Sequence, residues 1–389
     1  MILVYIQSMR IRHCAFLATL LLSFSKSSFA QLELSNETTY LSEIVYHTSQ
    51  TEVTGTNFIG WFLNVTSLTF IENHSLNVGL MLTHGGEPSA NIVGDLQTFS
   101  NLEAGFLYGF NELFYQYEKN DFWLKLGQVD INSDFFVSEN GLLYTHSSFG
   151  IDPTTTVNVP APTYPVVGGS VTTQIPITKN IKVRAGVFDG QFANARNNFL
   201  PINWSTTSDE GILFVIEPQF NLFQGRLLQK AGVYHHSGLF VNREVLAPFA
   251  DLAQKRGLTS FYSTTDLEMK RWNSSRSLHA FLQTTWSQRD VSIIHQYVGF
   301  GLRTENLIST DFKNEIGIAL AFANVNSENY NASEWNNLAH ETVIEITYKQ
   351  HVNEWLSLQP YFHYMGMKEY QTAELKNPIA VAIRANILF

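Results

Sequence analysis

Cysteine is almost missing from this chain. The one cysteine among 389 residues is Cys14. It lies in an N-terminal stretch that reads as a removable leader, so the chain beyond that leader has none. That excludes a disulfide scaffold, a cysteine nucleophile and a thiolate metal site. Positive charge is scarce too, with 24 Lys and Arg against 34 Asp and Glu. Arg10, Arg12 and Lys26 belong to the first thirty residues, leaving 21 bases against 34 acids, a net of −13. Such a balance argues against a nucleic-acid partner. Beyond residue 30 no apolar run reaches the roughly 18 residues that a membrane-crossing helix needs. The sequence has no G-x-S-x-G, no phosphate loop and no H-E-x-x-H, and its 12 histidines show no metal-ligand spacing. No catalytic residue, cofactor or metal is expected.

The first thirty residues have the form of an export signal. Arg10 and Arg12 precede an apolar core from Cys14 to Phe24, and Ser28-Phe29-Ala30 is a small-x-small cleavage site. The expected organisation is a signal peptide over 1–30 and one domain over 31–389.

The far end carries the fold signal. Ile379, Val381, Ile383, Ala385 and Ile387 alternate with Ala382, Arg384, Asn386 and Leu388, and the chain stops at Phe389. A strand sends alternate side chains to opposite faces, so this one has an apolar face and a polar face. An outer-membrane barrel needs that pairing, because its outside meets lipid and its inside meets water. The same period of two recurs in Glu315–Ala323, Ile181–Val187 and Trp355–His363.

Sixteen strands are expected, near 40–49, 57–70, 76–84, 111–118, 122–129, 166–175, 181–189, 211–218, 226–236, 259–269, 276–287, 293–303, 314–324, 341–350, 354–364 and 379–389. Their connections alternate long and short, with long ones near 85–110, 130–165, 190–210, 237–258, 325–340 and 365–378. The expected fold class is therefore all-β: a transmembrane antiparallel β-barrel of about 16 strands, with short periplasmic turns and long outer loops. Two places strain this reading. In 288–314 the outer loop is short and the turn is long, so a hairpin could be missed or invented there. Pro360 falls inside a strand, which predicts a bulge.

A barrel of this size can hold an aqueous channel. Strand phase sends Trp123, Lys125, Lys182, Arg184, Glu217, Lys230, Tyr234, Glu315, Glu345, Tyr361 and Arg384 inward. Tyr40, Trp61, Tyr115, Tyr117, Tyr348, Tyr364 and Phe389 take the outward phase, as girdle residues. The loop over 130–165 is the candidate constriction, with Asp130, Asp134, Glu139 and His146 and the proline-stiffened end Val159–Pro165. Lys182, Arg184 and Lys230 make either a basic ladder for hydroxyls and anions or a charge network bracing the wall.

Short segments spaced in order along the chain resemble a known family. They are NIVGDLQTFSN (91–101), LGQVD (126–130), PTYP (162–165), AGVFDG (185–190), GVYHHSG (232–238), EITYKQ (345–350), WLSLQP (355–360) and NPIA (377–380), ending at Phe389. Together they resemble the carbohydrate-selective porins, the OprB family of Gram-negative outer membranes. The resemblance implies a 16-stranded porin passing sugars through a narrowed, charged lumen. The family's basic eyelet residues have no matching motif here.

The expected function is passive, charge-tuned diffusion of small polar solutes, carbohydrates foremost, across the Gram-negative outer membrane. Trp123, Lys125, Asp130, Asp134, Lys182, Arg184, Lys230, Glu315, Glu345 and Arg384 are the candidate lumen-lining set. Expected partners are outer-membrane lipid, small solutes and the barrel-assembly machinery, which would read the last strand ending in Phe389. Homo-oligomerisation is left open. Rival readings are a general or anion-preferring porin, a lipase-like barrel enzyme with Ser and His near one rim, and a secreted soluble β-protein.

Overall fold

A computed structural model describes residues 32–49, 53–191, 199, 202, 204, 206–241, 254–308, 312–326, 338–369 and 377–389. The expected signal peptide lies outside the described residues, as do parts of the loops near 190–210, 237–258, 325–340 and 365–378. Sixteen strands follow one another: β1 (Glu33–Thr48), β2 (Thr54–Ile71), β3 (His74–Gly85), β4 (Leu107–Lys119), β5 (Phe122–Val129), β6 (Gly168–Thr178), β7 (Ile181–Asp189), β8 (Ile212–Leu222), β9 (Leu227–Val241), β10 (Gln254–Arg271), β11 (Ser277–Ser287), β12 (Ile294–Glu305), β13 (Asn314–Val325), β14 (Leu338–His351), β15 (Leu356–Glu369) and β16 (Ile379–Leu388). Each pairs antiparallel with the next, and β16 returns to β1, closing the barrel. Closure removes every strand edge, so the ladder N–H and C=O groups find partners within the wall apart from local gaps. Among the described residues no helix is long and apolar enough to cross a membrane; the strands do so.

The alternation seen in the sequence is the alternation of the wall. In β13, Ile318 and Leu320 are exposed to the outside while Glu315, Ala319, Ala321 and Ala323 are buried within. In β16, Val381 and Ile383 face out and Arg384 is buried inside. Charge facing lipid near the midplane costs about 2–4 kcal/mol for Arg or Lys, which fixes the phase of these strands.

The sixteen-strand expectation holds through 288–314, and one expectation, at Pro360, is corrected. The stretch 288–314 adds and removes no hairpin: one turn of helix over Arg289–Val291 joins β11 to β12, and 306–313 joins β12 to β13. Pro360 makes no bulge. It stays in register opposite Ile383 of β16. On the β14 side pairing passes from Thr347↔Tyr361 to Gln350↔Leu358 at the same offset, so the ladder skips two pairs and the strand runs straight on. A proline removes one N–H, and a local gap satisfies that loss without re-registering the strand.

The apolar core lies inside the barrel. One cluster joins Leu143, Tyr144 and Phe149 of the loop after β5 to Phe281, Ala319, Ala321, Val343 and Tyr361 of the wall, and to Val93, Phe99 and Leu102 of the loop after β3. A second joins Ile131, Phe135 and Phe136 to Phe188, Leu213, Tyr234, Leu258 and Tyr262. The second and third long loops, 86–106 and 130–167, therefore both fold into the lumen. Only the third was expected there. The small inward residues of β13 make room for them.

Candidate functional site

The third loop is closed at its neck by Asp130. One carboxylate oxygen accepts from the backbone of Asn132 at 2.8 Å, capping the helical turn Ile131–Asp134, and the other accepts from the backbone of Tyr164 at 2.9 Å. Asp130 and Tyr164 come from two of the segments that carried the family resemblance. Burial raises the pKa of Asp130, against those two hydrogen bonds.

From the neck the loop runs along the wall, held by charged side chains. Lys125 donates to Asp134 at 2.7 Å, and Arg184 donates to the Asp134 carbonyl and to Gln174 at 2.9 Å. Trp123 is buried beneath them, with the Lys125 ammonium 4.8 Å and the Arg184 guanidinium 5.9 Å from its ring. Glu217 accepts from the backbone of Phe136 at 3.1 Å and from the Tyr262 hydroxyl at 2.7 Å. Lys230 donates to the Val137 carbonyl at 2.7 Å, with Glu139 at 3.7 Å. Asp266 accepts from the Ser138 hydroxyl and from the backbones of Glu139 and Asn140, at 2.7, 3.1 and 2.9 Å. Glu345 accepts from the backbones of Thr145 and His146 at 2.9 and 3.0 Å, and lies 3.1 Å from His363.

The second loop is held the same way. Glu341 accepts from the backbones of Leu96 and Gln97 at 2.9 and 3.0 Å. Wall carboxylates thus grip both loops through backbone N–H groups, and such charge-assisted bonds are roughly twice as strong as neutral ones. Asp266 and Glu341 were missed in the sequence; an acid in the inward phase of a strand was the available signal.

Burial pushes the pKa of Asp95, in the second loop, up to about 6. That of Glu103, which accepts from the Ser89 backbone at 3.0 Å, is pushed up to about 8, by burial first and the Asp95 charge second. Burial holds His146 well below the usual histidine range.

Other charges pair mainly within the wall, though Arg303 also donates to the Glu139 carbonyl at 3.4 Å and Glu43 accepts from the Ser100 hydroxyl of the second loop. Lys182 pairs with Asp121 at 2.9 Å near the short-turn rim. Arg303 meets Glu315 at 2.6 Å and Glu305 at 2.8 Å, and His351 lies 3.1 Å from Glu315. Arg384 is clamped to Glu43 at 2.9 Å. Lys349 makes no ion pair among the described residues. The candidate set thus divides: Trp123, Asp134, Lys230, Glu315, Glu345 and Arg384 are buried in loop or wall contacts, while Lys125, Asp130, Lys182 and Arg184 are only half-buried. Lys182, Gln219 and Lys230 are direct cross-strand neighbours in one row of the wall. Trp61 is not on the outside, as its phase suggested. It pairs with inward Leu41 and packs edge-on against Tyr164, ring centroids 5.8 Å apart. Among the described residues no cluster of three metal-ligating side chains occurs.

A closed antiparallel barrel with an apolar exterior, a polar lumen and an inserted loop defines a porin. The carbohydrate-selective porin, OprB family, matches residues 60–389, and the chain belongs to that family. Membership places it in the Gram-negative outer membrane. Among solved structures it is similar to Pseudomonas putida OprB, with a TM-score of 0.80 at 14% identity over 92% of this chain and 94% of that one. An anion-selective porin from Comamonas acidovorans follows at 0.56 and 9%, covering 92% and 100%. The outer-membrane channel DcaP of Acinetobacter baumannii aligns at 0.54 and 11%, covering 93% and 99%. At these identities the likeness concerns the fold. No curated protein sequence matches.

Proposed function

We propose that this porin passes small polar solutes, sugars foremost, by passive diffusion through the space between the third loop and the facing wall. The supporting observation is the split between sealed and open charges. Glu345, Lys230 and Arg384 hold the plug, while Lys125, Lys182 and Arg184 remain partly open below it. These open charges, all basic, with their hydrogen-bonding groups, suit weak and repeated contacts with hydroxyls. Conduction needs such contacts, because a site that binds tightly does not release. In this reading Asp134 and Trp123 hold Lys125 and Arg184 in place, Asp130 holds the neck of the loop, and Glu315 holds Arg303 and His351. Export through a cleaved signal over 1–30 and assembly through the last strand, whose Phe389 is 77% exposed, belong to the same proposal.

Single-channel recording of the refolded protein in a planar bilayer tests it, with glucose or maltooligosaccharides added in steps. Ohmic steps that sugar reduces in a dose-dependent way are expected. Steps that no sugar changes would keep the channel and remove the sugar.

A further inference from the structure

Part of the β1–β2 wall departs from the usual distribution of polarity, with apolar side chains inside and a polar patch outside. Its register is unbroken from Glu33↔Thr69 to Thr48↔Thr54 and pairs Leu41 with Trp61, Thr39 with Leu63 and Glu37 with Val65. Ile59 shares the phase of Trp61, Leu63 and Val65 and is buried in the inner core, while Phe58 in the other phase is exposed outside. Trp61, Leu63 and Val65 therefore face the lumen, and Leu63 pairs on its other side with inward Met81. The outward phase carries Asn36, Thr38, Asn64 and Thr66, bonded to one another. Asn36 donates to Thr66 at 2.7 Å and Asn64 to Thr38 at 2.7 Å.

The three inward apolar residues are only half-buried. Much of the facing wall, including Glu217, Glu345 and Tyr234, is sealed under the third loop. Trp61 touches the edge of that plug through Tyr164, and Leu63 and Val65 continue below it, along the side left open. Lys125 on β5 and Arg184 on β7, also half-buried, lie farther round the wall.

We infer that Trp61, Leu63 and Val65 form an apolar track by which the passage prefers ring sugars to open-chain polyols of the same size. The inference rests on the porin reading above. A pyranose chair holds C–H groups on its faces and hydroxyls around its edge. One face covers apolar wall while the edge stays bonded to water and to the charged side chains. An open-chain polyol has no fixed apolar face and must be ordered to present one. Covering a few tens of Å2 of C–H surface corresponds to about a fourfold preference.

Swelling of liposomes holding the refolded protein, in D-glucose and in D-sorbitol, tests the track. The ratio of the two rates is read, so differences in pore number cancel. Wild type is expected to give a ratio of about four, Leu63→Thr roughly two, and Leu63→Met to return toward wild type. Val65→Thr, close in shape, supplies a second reading if Leu63→Thr does not refold, as judged by heat-modifiable mobility. A wild-type ratio near one, or a ratio that Leu63→Thr and Val65→Thr leave unchanged, overturns the track. Equal swelling in both solutes sinks the track alone; swelling in neither sinks the porin reading with it.

Discussion

The hydroxyl of Tyr144 stands where a side chain at position 317 would have to go: a Cβ on Gly317 would lie 2.7 Å from it. From that niche in β13 the hydroxyl reaches the backbone carbonyls of Leu302 at 2.7 Å and Ile318 at 3.0 Å. The far end of the third loop is thereby pinned to the wall opposite its neck.

Gly317→Val should expel Tyr144 and loosen the loop at that end. Overpacking of this kind costs about 1–3 kcal/mol. The expected outcome is larger and noisier single-channel currents, with a lower urea midpoint for the refolded barrel. Tyr144→Phe keeps the ring and loses the bond, at about 1 kcal/mol. Equal currents in Gly317→Val and wild type would refute the niche.

Glu345→Gln should unsettle the loop more than its nearly equal size suggests. The carboxylate is wholly buried and accepts from two backbone N–H groups and the Thr145 hydroxyl. An amide turns one of its two oxygens into a donor facing donors. Hydrogen bonds to charged groups contribute about 1.5–3 kcal/mol each. Proteolysis of the refolded protein should cut within 140–150 at least tenfold faster, unless another contact holds the loop.

The second loop should loosen as pH rises. Asp95, ordinarily near 3.8, is raised to about 6, and Glu103, ordinarily near 4.5, to about 8. A group with a raised folded pKa contributes fully below its ordinary value and loses that contribution as pH climbs to the folded one. The window therefore runs from about pH 4 to pH 8. Glu341, Glu87 and His363 also face this cluster. Current noise should rise from pH 5 to pH 8 and level off, and Asp95→Asn should flatten the lower part of the curve. Noise that falls with pH would contradict the sign.

Lys349→Gln should shift ion preference toward cations. Its ammonium lies in the inward phase of β14, across the ladder from Glu315 but in no ion pair among the described residues. A unit charge at about 10 Å in water contributes roughly 0.4 kcal/mol, a factor of about two for each ion and in opposite senses, hence about four in the anion-to-cation permeability ratio. Reversal potentials in a salt gradient read that ratio directly.

The wall was legible in the sequence because each strand writes its own period. Ile316, Ile318, Leu320 and Phe322 announce their face without reference to any other part of the chain. Trp61 misled because β2 places Asn64 and Thr66 on the outer face, where apolar residues were the rule. The plug was legible only as a long loop with prolines. Asp266 holds Ser138 and Asn140, and Glu341 holds Leu96 and Gln97, across separations that no local pattern encodes. The second loop gave no sign of turning inward, because Val93 ends a single helical turn over Ser89–Val93 and Phe99 and Leu102 follow in irregular backbone, too short a run to show a period.

The grip of Glu345 on Thr145 spans 200 positions of sequence, and that distance becomes a matter of timing. The loop emerges from synthesis long before the strand that holds it, and Phe389, whose backbone closes the seam on Thr38 at 2.9 Å, comes last of all. A chain lacking β14 to β16 keeps the anchors from Lys125 to Asp266 but loses Glu345, Glu341 and closure. The plug is then among the last parts to settle, and the non-local pairing makes the whole assembly slow. In refolding followed by protease challenge, protection within 140–150 should appear no earlier than the heat-resistant, closed form.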